Sequence, residues 1–137
     1  MRLWHKDLIK HLPDKQLRGQ WRECVLIAKA LNEGNLNHAI VNRVKDYPKE
    51  HYIRYCQIVA HEMHRRGYKA DWATLYRTVD STLPILHVKA EDIFPKWHCL
   101  RYLAQCYYNL EEKYDCGSIT DAEFEEIKKV KFWKLFP

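Results

Sequence analysis

The feature that most constrains this fold is a helical stripe of apolar residues between positions 14 and 31. Its members recur at steps of three and four residues, at Leu17, Trp21, Cys24, Ala28 and Leu31. Such spacing places them on one side of an α-helix and leaves the other sides polar. We expect Asp14, which follows Pro13, to be the N-cap and Gly34 to end this helix.

Two further helices are predicted in the middle of the chain, over residues 35–47 and 48–66. Proline suits the first position of a helix, which favours a start at Pro48, and Gly67 is expected to stop the same helix. The residues expected to face inward are Ile40, Val41 and Val44 in the first and Tyr52, Cys56, Val59, Ala60 and Met63 in the second.

Helical spacing continues through the rest of the chain. We expect a packed turn in residues 1–12, a short helix over 71–78, an irregular segment over 79–94, and helices over 95–114 and 120–130. Thr120 and Glu123 have the spacing of a capping box. The residues expected to face inward are Trp4, Leu8, Ile9 and Leu12, then Trp72, Leu75 and Tyr76, then Leu100, Leu103, Tyr107 and Leu110, and finally Phe124, Ile127 and Val130.

The composition supports an all-α fold. The 137 residues include only four glycines and five prolines, and 47% of them are hydrophobic. This length fits one core but not two, so we predict a compact single-domain helical bundle (residues 1–137) of about five to six helices. No apolar run approaches the length of a bilayer, and the charged start is unlike a signal peptide. We therefore expect a cytoplasmic protein that makes no membrane contact.

Five cysteines occur without a CxxC pair, which favours free thiols in a reducing compartment over a disulfide framework. Cys24, Cys56 and Cys106 lie on apolar stripes, and we interpret them as small core residues. Cys99 precedes Cys106 by seven residues, so both are expected on one side of a helix. Core packing is favoured over a metal site there.

Positive charge is concentrated in the first part of the chain. Residues 1–77 contain 15 Lys/Arg and 8 Asp/Glu, whereas residues 78–137 contain 8 and 10. Such an excess is typical of a surface that binds a polyanion, although basic proteins of this size also occur without such a partner.

The first helix carries the charges that stand out. Lys15, Arg18, Arg22 and Lys29 are expected to line one side of it, and Glu23 falls between this row and the apolar stripe. No cation stands three or four residues from Glu23, so it has no ion pair at helical spacing. One interpretation is a solvated helix surface. The other is an arginine pair that binds phosphates beside a carboxylate that transfers protons.

Two other patterns have competing interpretations. His61 and His64 resemble a zinc motif, but they lie three residues apart instead of four and lack a visible third ligand, so exposed polar residues are favoured. Glu62 and Arg66 have the spacing of an ion pair. The basic and aromatic end, residues 128–136, suits unstacked bases, but aromatic rings packed on the core are favoured.

One set of residues matches a known family in both type and position. It comprises the start, MRLW, and the segment 17–23, in which Arg22 and Glu23 form an Arg-Glu pair. Weaker matches are Asn37-His38 and residues 62–68. In these residues the chain resembles the pyrimidine-dimer DNA glycosylase/AP lyases of the phage repair-endonuclease type.

The resemblance implies a mechanism without metal or cofactor. The family's N-terminal α-amine attacks C1′ of the damaged nucleotide to form an imine, and β-elimination then nicks the strand. The implied catalytic residues are Met1, through its amine, and Glu23, as the acid/base. The implied DNA contacts are Arg2, Arg18 and Arg22, with His38 and Arg65 as secondary candidates.

Two positions depart from the family's pattern. Arg2 is too bulky for the usual removal of the initiator Met, which assigns the amine to Met1, and Leu26 stands where the phage enzyme has a further arginine. The expected partner is double-stranded damaged DNA, and the protein is expected to bind it as a monomer near the nucleoid. The alternatives are a catalytically inactive nucleic-acid-binding module and a helical protein-interaction domain.

Overall fold

The structure is a computed structural model that describes residues 2–34, 38–73, 75 and 88–130. These residues contain no strand, and the predicted all-α fold is confirmed. The α-helices are α1 (Asp14–Glu33), α2 (Ala39–Lys45), α3 (Lys49–Arg65), α4 (Leu100–Asp115) and α5 (Asp121–Ile127), with 3-10 helices at Lys6–His11 and Ala90–Asp92. None of the helices in this part of the chain is both long and apolar enough to cross a bilayer.

Helix α1 packs along α3, and its predicted stripe is buried at Leu17, Trp21, Cys24 and Ala28. Gly34 ends the helix in the left-handed conformation, with φ of 73°, as the sequence predicted. The predicted N-cap was wrong, because Pro13 occupies that position and Asp14 is the first helical residue.

The Asp14 carboxylate is instead bound by groups outside its own helix. One oxygen accepts a hydrogen bond from Arg66 at 2.9 Å, and the other accepts one from the Tyr68 hydroxyl at 2.8 Å. These two donors hold the carboxylate against α3 rather than over the first amides of α1.

Helices α2 and α3 lie in the predicted regions, but the predicted start of α3 was wrong, because Pro48 is its N-cap and Lys49 its first residue. Helix α2 is shorter than expected, since it begins at Ala39, and residues 35–37 lie outside the described residues. In α3 the predicted stripe is buried along its whole length, and Gly67 follows the helix with φ of 85°.

The predicted helix over 95–114 starts five residues too early. Phe94 and Lys96 take positive φ values of 50° and 71°, which a right-handed helix does not allow, so α4 begins only at Leu100. The inward placement of Leu100 was therefore wrong, and its side chain is 45% exposed. The expectation for Cys99 was wrong for the same reason, because it is the exposed N-cap of α4.

Several other predictions agree with the structure where it describes them, but the segment predicted to be irregular contains the short 3-10 helix Ala90–Asp92. The capping box at Thr120 and Glu123 is formed, although α5 ends at Ile127 instead of residue 130. Trp4 and the three apolar residues after it pack into the core around the first 3-10 helix. Most of the predicted 71–78 and 79–94 segments, and the tail at 131–137, lie outside the described residues.

Candidate active site

A polar stripe runs along α1 beside its apolar stripe. It consists of Gln16, Gln20 and Glu23, which are four and three residues apart and so lie on one side of the helix. Gln20 is only 2% exposed. A buried amide is tolerated only when its polar atoms are hydrogen-bonded, so the partners of Gln20 show what this stripe holds.

Gln20 holds the beginning of the chain. Its Oε1 accepts a hydrogen bond from the backbone N–H of Trp4 at 2.8 Å, and its Nε2 donates one to the carbonyl of Arg2 at 3.0 Å. The side chain therefore satisfies one donor and one acceptor of an irregular segment that has no partner in a helix or strand.

Two tyrosines on neighbouring helices also form hydrogen bonds with the beginning of the chain. The Tyr55 hydroxyl on α3 donates to the Trp4 carbonyl at 2.6 Å and lies 3.2 Å from the Gln20 Oε1. The Tyr102 hydroxyl on α4 donates to the Leu3 carbonyl at 2.6 Å. Burial raises the pKa of both tyrosines, so both keep the proton that they donate. Three helices thus hold the backbone of residues 2–4.

Glu23 ends the polar stripe, and its carboxylate is not paired in the same way. The residue is half-buried, and its Oε2 is closed to solvent yet has no hydrogen-bond partner among the described residues. The Oε1 of Gln16, at the other end of the stripe, is buried and unpartnered as well. Leaving a buried acceptor without a donor costs about 1–3 kcal/mol, which marks the stripe as a place where another group is expected to bind.

Arginines surround this stripe. Arg18 and Arg22 are exposed on α1, and the Arg18 guanidinium lies 5.2 Å from the centre of the Tyr68 ring. Arg2 is half-buried and lies 5.1 Å from the centre of the Trp4 ring. None of these three arginines forms a salt bridge with Glu23.

A cleft of about 560 Å³ opens beside Arg2. It lies between the start of the chain, α2 and α4, and its lining combines a cation with aromatic and amide groups. The lining residues are Arg2, Ile40, Tyr102, Gln105, Tyr108, Asn109 and Glu112. Aromatic rings and amides are the groups that bind an extrahelical base by stacking and hydrogen bonding.

The secondary candidates occupy other positions. His38 is exposed and caps α2, where its Nδ1 accepts the Ile40 N–H at 3.2 Å. Arg65 lies on α3, where it is hydrogen-bonded to Glu62 and lines a different groove from the one beside Arg2. Met1, the predicted nucleophile, lies outside the described residues.

The possible metal motif has other contacts. The His64 Nε2 lies 3.2 Å from the Ala70 carbonyl, and His61 is exposed. In the described ranges, no three His, Cys, Asp or Glu side chains come together in a way that could hold a metal ion. Glu62 and Arg66 form the ion pair that their spacing predicted, at 2.8 Å.

Sequence reasoning missed the residues that hold the chain start. Gln20 was noticed only as part of the motif around Glu23, and Tyr55 and Tyr102 were not singled out. A glutamine on an otherwise apolar helix flank, three residues before Glu23, was the available signal. The tyrosines gave none, because only the packing of α3 and α4 brings their hydroxyls to residues 3 and 4.

Comparison with known proteins identifies one family. A family model described as pyrimidine dimer DNA glycosylase matches residues 1–74, a range that includes the chain start, the polar stripe and α3. No curated protein and no solved structure gives a significant match.

Proposed function

The chain belongs to the pyrimidine dimer DNA glycosylase family, and we propose that it is a DNA glycosylase/AP lyase that works through an imine with its N-terminal amine. In this proposal a monomer acts on double-stranded DNA that carries a pyrimidine dimer or an abasic site. It needs no metal or cofactor, and its substrate lies in the nucleoid of the cytoplasm.

The observation that supports this proposal most is the set of hydrogen bonds to the backbone of residues 2–4, which lies beside the polar stripe that ends in Glu23. The Arg2 carbonyl is bound by Gln20, which lies one helical turn before Glu23. The α-carbon of Met1 is about 3.8 Å from that of Arg2. The proposal therefore sets the Met1 amine near the unpaired Glu23 carboxylate, on a segment held firmly enough to aim it.

The amine is the proposed nucleophile. Its nitrogen attacks C1′ of the damaged nucleotide, and the C1′–N bond to the base breaks with its electron pair leaving on the base. Loss of a proton from the new C1′–amine and opening of the sugar at O4′ give the imine. An α-amino group has an ordinary pKa of about 8, so a useful fraction is neutral near pH 7 without special tuning.

Glu23 is the proposed acid/base. As a carboxylate it stabilises the positive charge that develops on the sugar, and it then removes a proton from C2′. The electron pair from that C–H bond expels the 3′ phosphate, which breaks the strand by β-elimination. Water finally hydrolyses the imine and frees the amine. A carboxylate that has no ion pair with a described side chain is suited to these steps, because no side-chain pair has to be broken first.

The arginines are the proposed phosphate contacts. Arg18 and Arg22 are exposed on α1, and Arg2 lies beside the cleft next to the chain start. Guanidinium groups bind phosphates in a bidentate manner, and they would hold the backbone of a kinked duplex. His38 and Arg65 are proposed as outer contacts, where the same backbone leaves the site.

Borohydride trapping tests the chemistry directly. Reduction should convert the imine with abasic-site DNA into a stable covalent adduct, and intact mass should assign it to a chain that begins with Met1. Acetylation of the N-terminus, or a short peptide added before Met1, should abolish the adduct while DNA binding persists.

The outcome that contradicts the proposal is equally plain. Salt-sensitive DNA binding without an adduct in any variant would identify a catalytically inactive binding module. An adduct that survives N-terminal acetylation would assign the chemistry to a lysine instead.

A further inference from the structure

A second basic groove lies between the first 3-10 helix, α3 and α5. We propose that this groove binds single-stranded DNA. It shares none of its lining residues with the polar stripe of α1 or with the cleft beside Arg2. The inference does not depend on the imine chemistry, although Arg65, an outer contact in the proposed function, is one of the lining residues.

The shape of the groove suits a single strand. It is an open cavity of about 1100 Å³, and its lining includes apolar groups from three different elements. These are Ile9 on the 3-10 helix, Ile58 and Ala60 on α3, and Trp72. A single strand can turn its bases toward such a floor and leave its phosphates at the edges. A duplex keeps its bases stacked inside and fits a concave groove poorly.

The charges of the groove suit phosphates. Its lining contains five Lys/Arg side chains and only two carboxylates, those of Glu62 and Glu126. The basic residues are Lys6, Lys10, Arg54, Arg65 and Lys129, with His11, His61 and His64 among them.

Both carboxylates of the groove are already bound. Glu62 is 6% exposed and pairs with Arg65 and Arg66. Glu126 is bound by the His11 ring at 3.0 Å and by Lys129 at 2.6 Å. The two acids are thus paired with cations, which include Arg65 and Lys129 of the same lining. Lys6, Lys10 and Arg54 remain as lining cations without a carboxylate partner among the described residues, and they give the groove a positive potential.

Lys10 and Arg54 are suitable probes of this surface. Lys10 is exposed on the 3-10 helix, and Arg54 stands across the groove on α3, where its side chain contacts only Gln57 among the hydrogen bonds seen, at 3.3 Å. Neither residue supports the core, so replacing both by Ala removes charge from opposite sides of the groove without unfolding the chain.

The experiment is a fluorescence anisotropy titration of the full chain with a labelled oligothymidylate of about ten nucleotides, which carries no lesion and has no complement. The double variant Lys10→Ala/Arg54→Ala should bind about fivefold more weakly. The slope of log K against log salt should fall by about 1.4, since each phosphate contact on a single strand contributes about 0.7. The matched control Lys45→Ala/Arg101→Ala removes two exposed cations outside the groove and should leave both values unchanged.

Three results would overturn the inference. The first is an equal loss of affinity in the control pair, which would mean that binding depends only on the net charge of the protein. The second is a larger loss from Arg18→Ala/Arg22→Ala, which would assign the strand to α1. The third is unlabelled blunt duplex competing as well as the single strand. A failed borohydride trap affects none of these measurements, so the two proposals fail separately.

Discussion

Two glutamates of this protein lie within four residues of an arginine in sequence, yet their carboxylates have opposite surroundings in the structure. Glu62 on α3 is hydrogen-bonded by both Arg65 and Arg66, and its side chain is 6% exposed. Glu23 on α1 follows Arg22 directly, but its Oε2 has no hydrogen-bond partner among the described residues.

Helix geometry explains the difference. Arg65 and Arg66 stand three and four residues after Glu62, so all three side chains share one side of α3. Arg22 is adjacent to Glu23 and therefore points about 100° away around the helix. Burial alone would raise the pKa of Glu62, but the hydrogen bonds from the two arginines outweigh it and lower the pKa. One carboxylate is thus committed to the fold, whereas no described side chain pairs with the other, which we propose as the acid/base.

The largest expected effect is a loss of activity when Glu23, but not Glu62, is replaced. Glu23→Gln should lower the rate of adduct formation with abasic-site DNA about 10³-fold, since the amide cannot accept the C2′ proton. DNA affinity and the free energy of unfolding should stay close to the parent values, because Glu23 has no ion pair with any described residue. The measurement is single-turnover trapping beside a urea titration. Full activity in this variant would remove Glu23 from the mechanism.

The next largest effect is expected when the hydrogen bonds from Gln20 to the chain start are removed. Gln20→Ala leaves the Trp4 N–H and the Arg2 carbonyl without their partner, and a displaced amine should react about 100-fold more slowly. Trapping should be measured at a temperature where circular dichroism shows the variant folded. Asn32→Ala is the matched control, because it removes an exposed amide from the same helix. Equal losses in both variants would mean that the hold does not position the amine.

The reverse behaviour is expected at Glu62. Glu62→Gln keeps the shape but leaves two arginines without their carboxylate, which should lower the free energy of unfolding by about 2 kcal/mol. Urea titration measures the loss. Trapping per folded molecule should be unchanged, and a drop comparable to that of Glu23→Gln would show that this network also serves the reaction.

The smallest expected effect is a pH dependence of the free energy of unfolding, and it comes from the region around the chain start. Burial lowers the pKa of His5, beside the chain start, from 6.5 to about 4. The unfolded chain therefore binds more protons than the folded one between these values, and stability is lost as the pH falls from about 6.5 to about 4. The loss attributable to His5 should be about 1 kcal/mol at pH 5.5.

His5→Asn tests this contribution, because asparagine keeps an acceptor for the Asp7 N–H and does not titrate. Its free energy of unfolding should depend less steeply on pH in that interval. Burial lowers the pKa of His98 as well, so part of the slope remains. The Glu62 and Asp14 carboxylates, whose pKa values are lowered, lose their contribution only at lower pH. An unchanged slope in His5→Asn would show that His5 is already protonated in the folded chain.

The local sequence pattern was sufficient to predict a feature when the side chains that determine it lie within one helix. The stripes of α1 and α3, the left-handed stop at Gly34, the capping box at Thr120 and the Glu62–Arg66 pair all follow from spacing. The start of α4 did not follow, since the positive φ at Phe94 and Lys96 belongs to a segment that buries Trp97 and His98. No periodicity signals such a segment.

The sequence by itself determined most of the helices and the lack of a cation at helical spacing from Glu23, because both depend on positions within three or four residues along one chain segment. Only the tertiary structure decided that residues 2–4 lie against Gln20, since Tyr55 and Tyr102 come from helices 51 and 99 residues away from the carbonyls that they bind. Hydrogen bonds over such separations depend on how the helices pack, and packing is a property of the whole core rather than of any one segment.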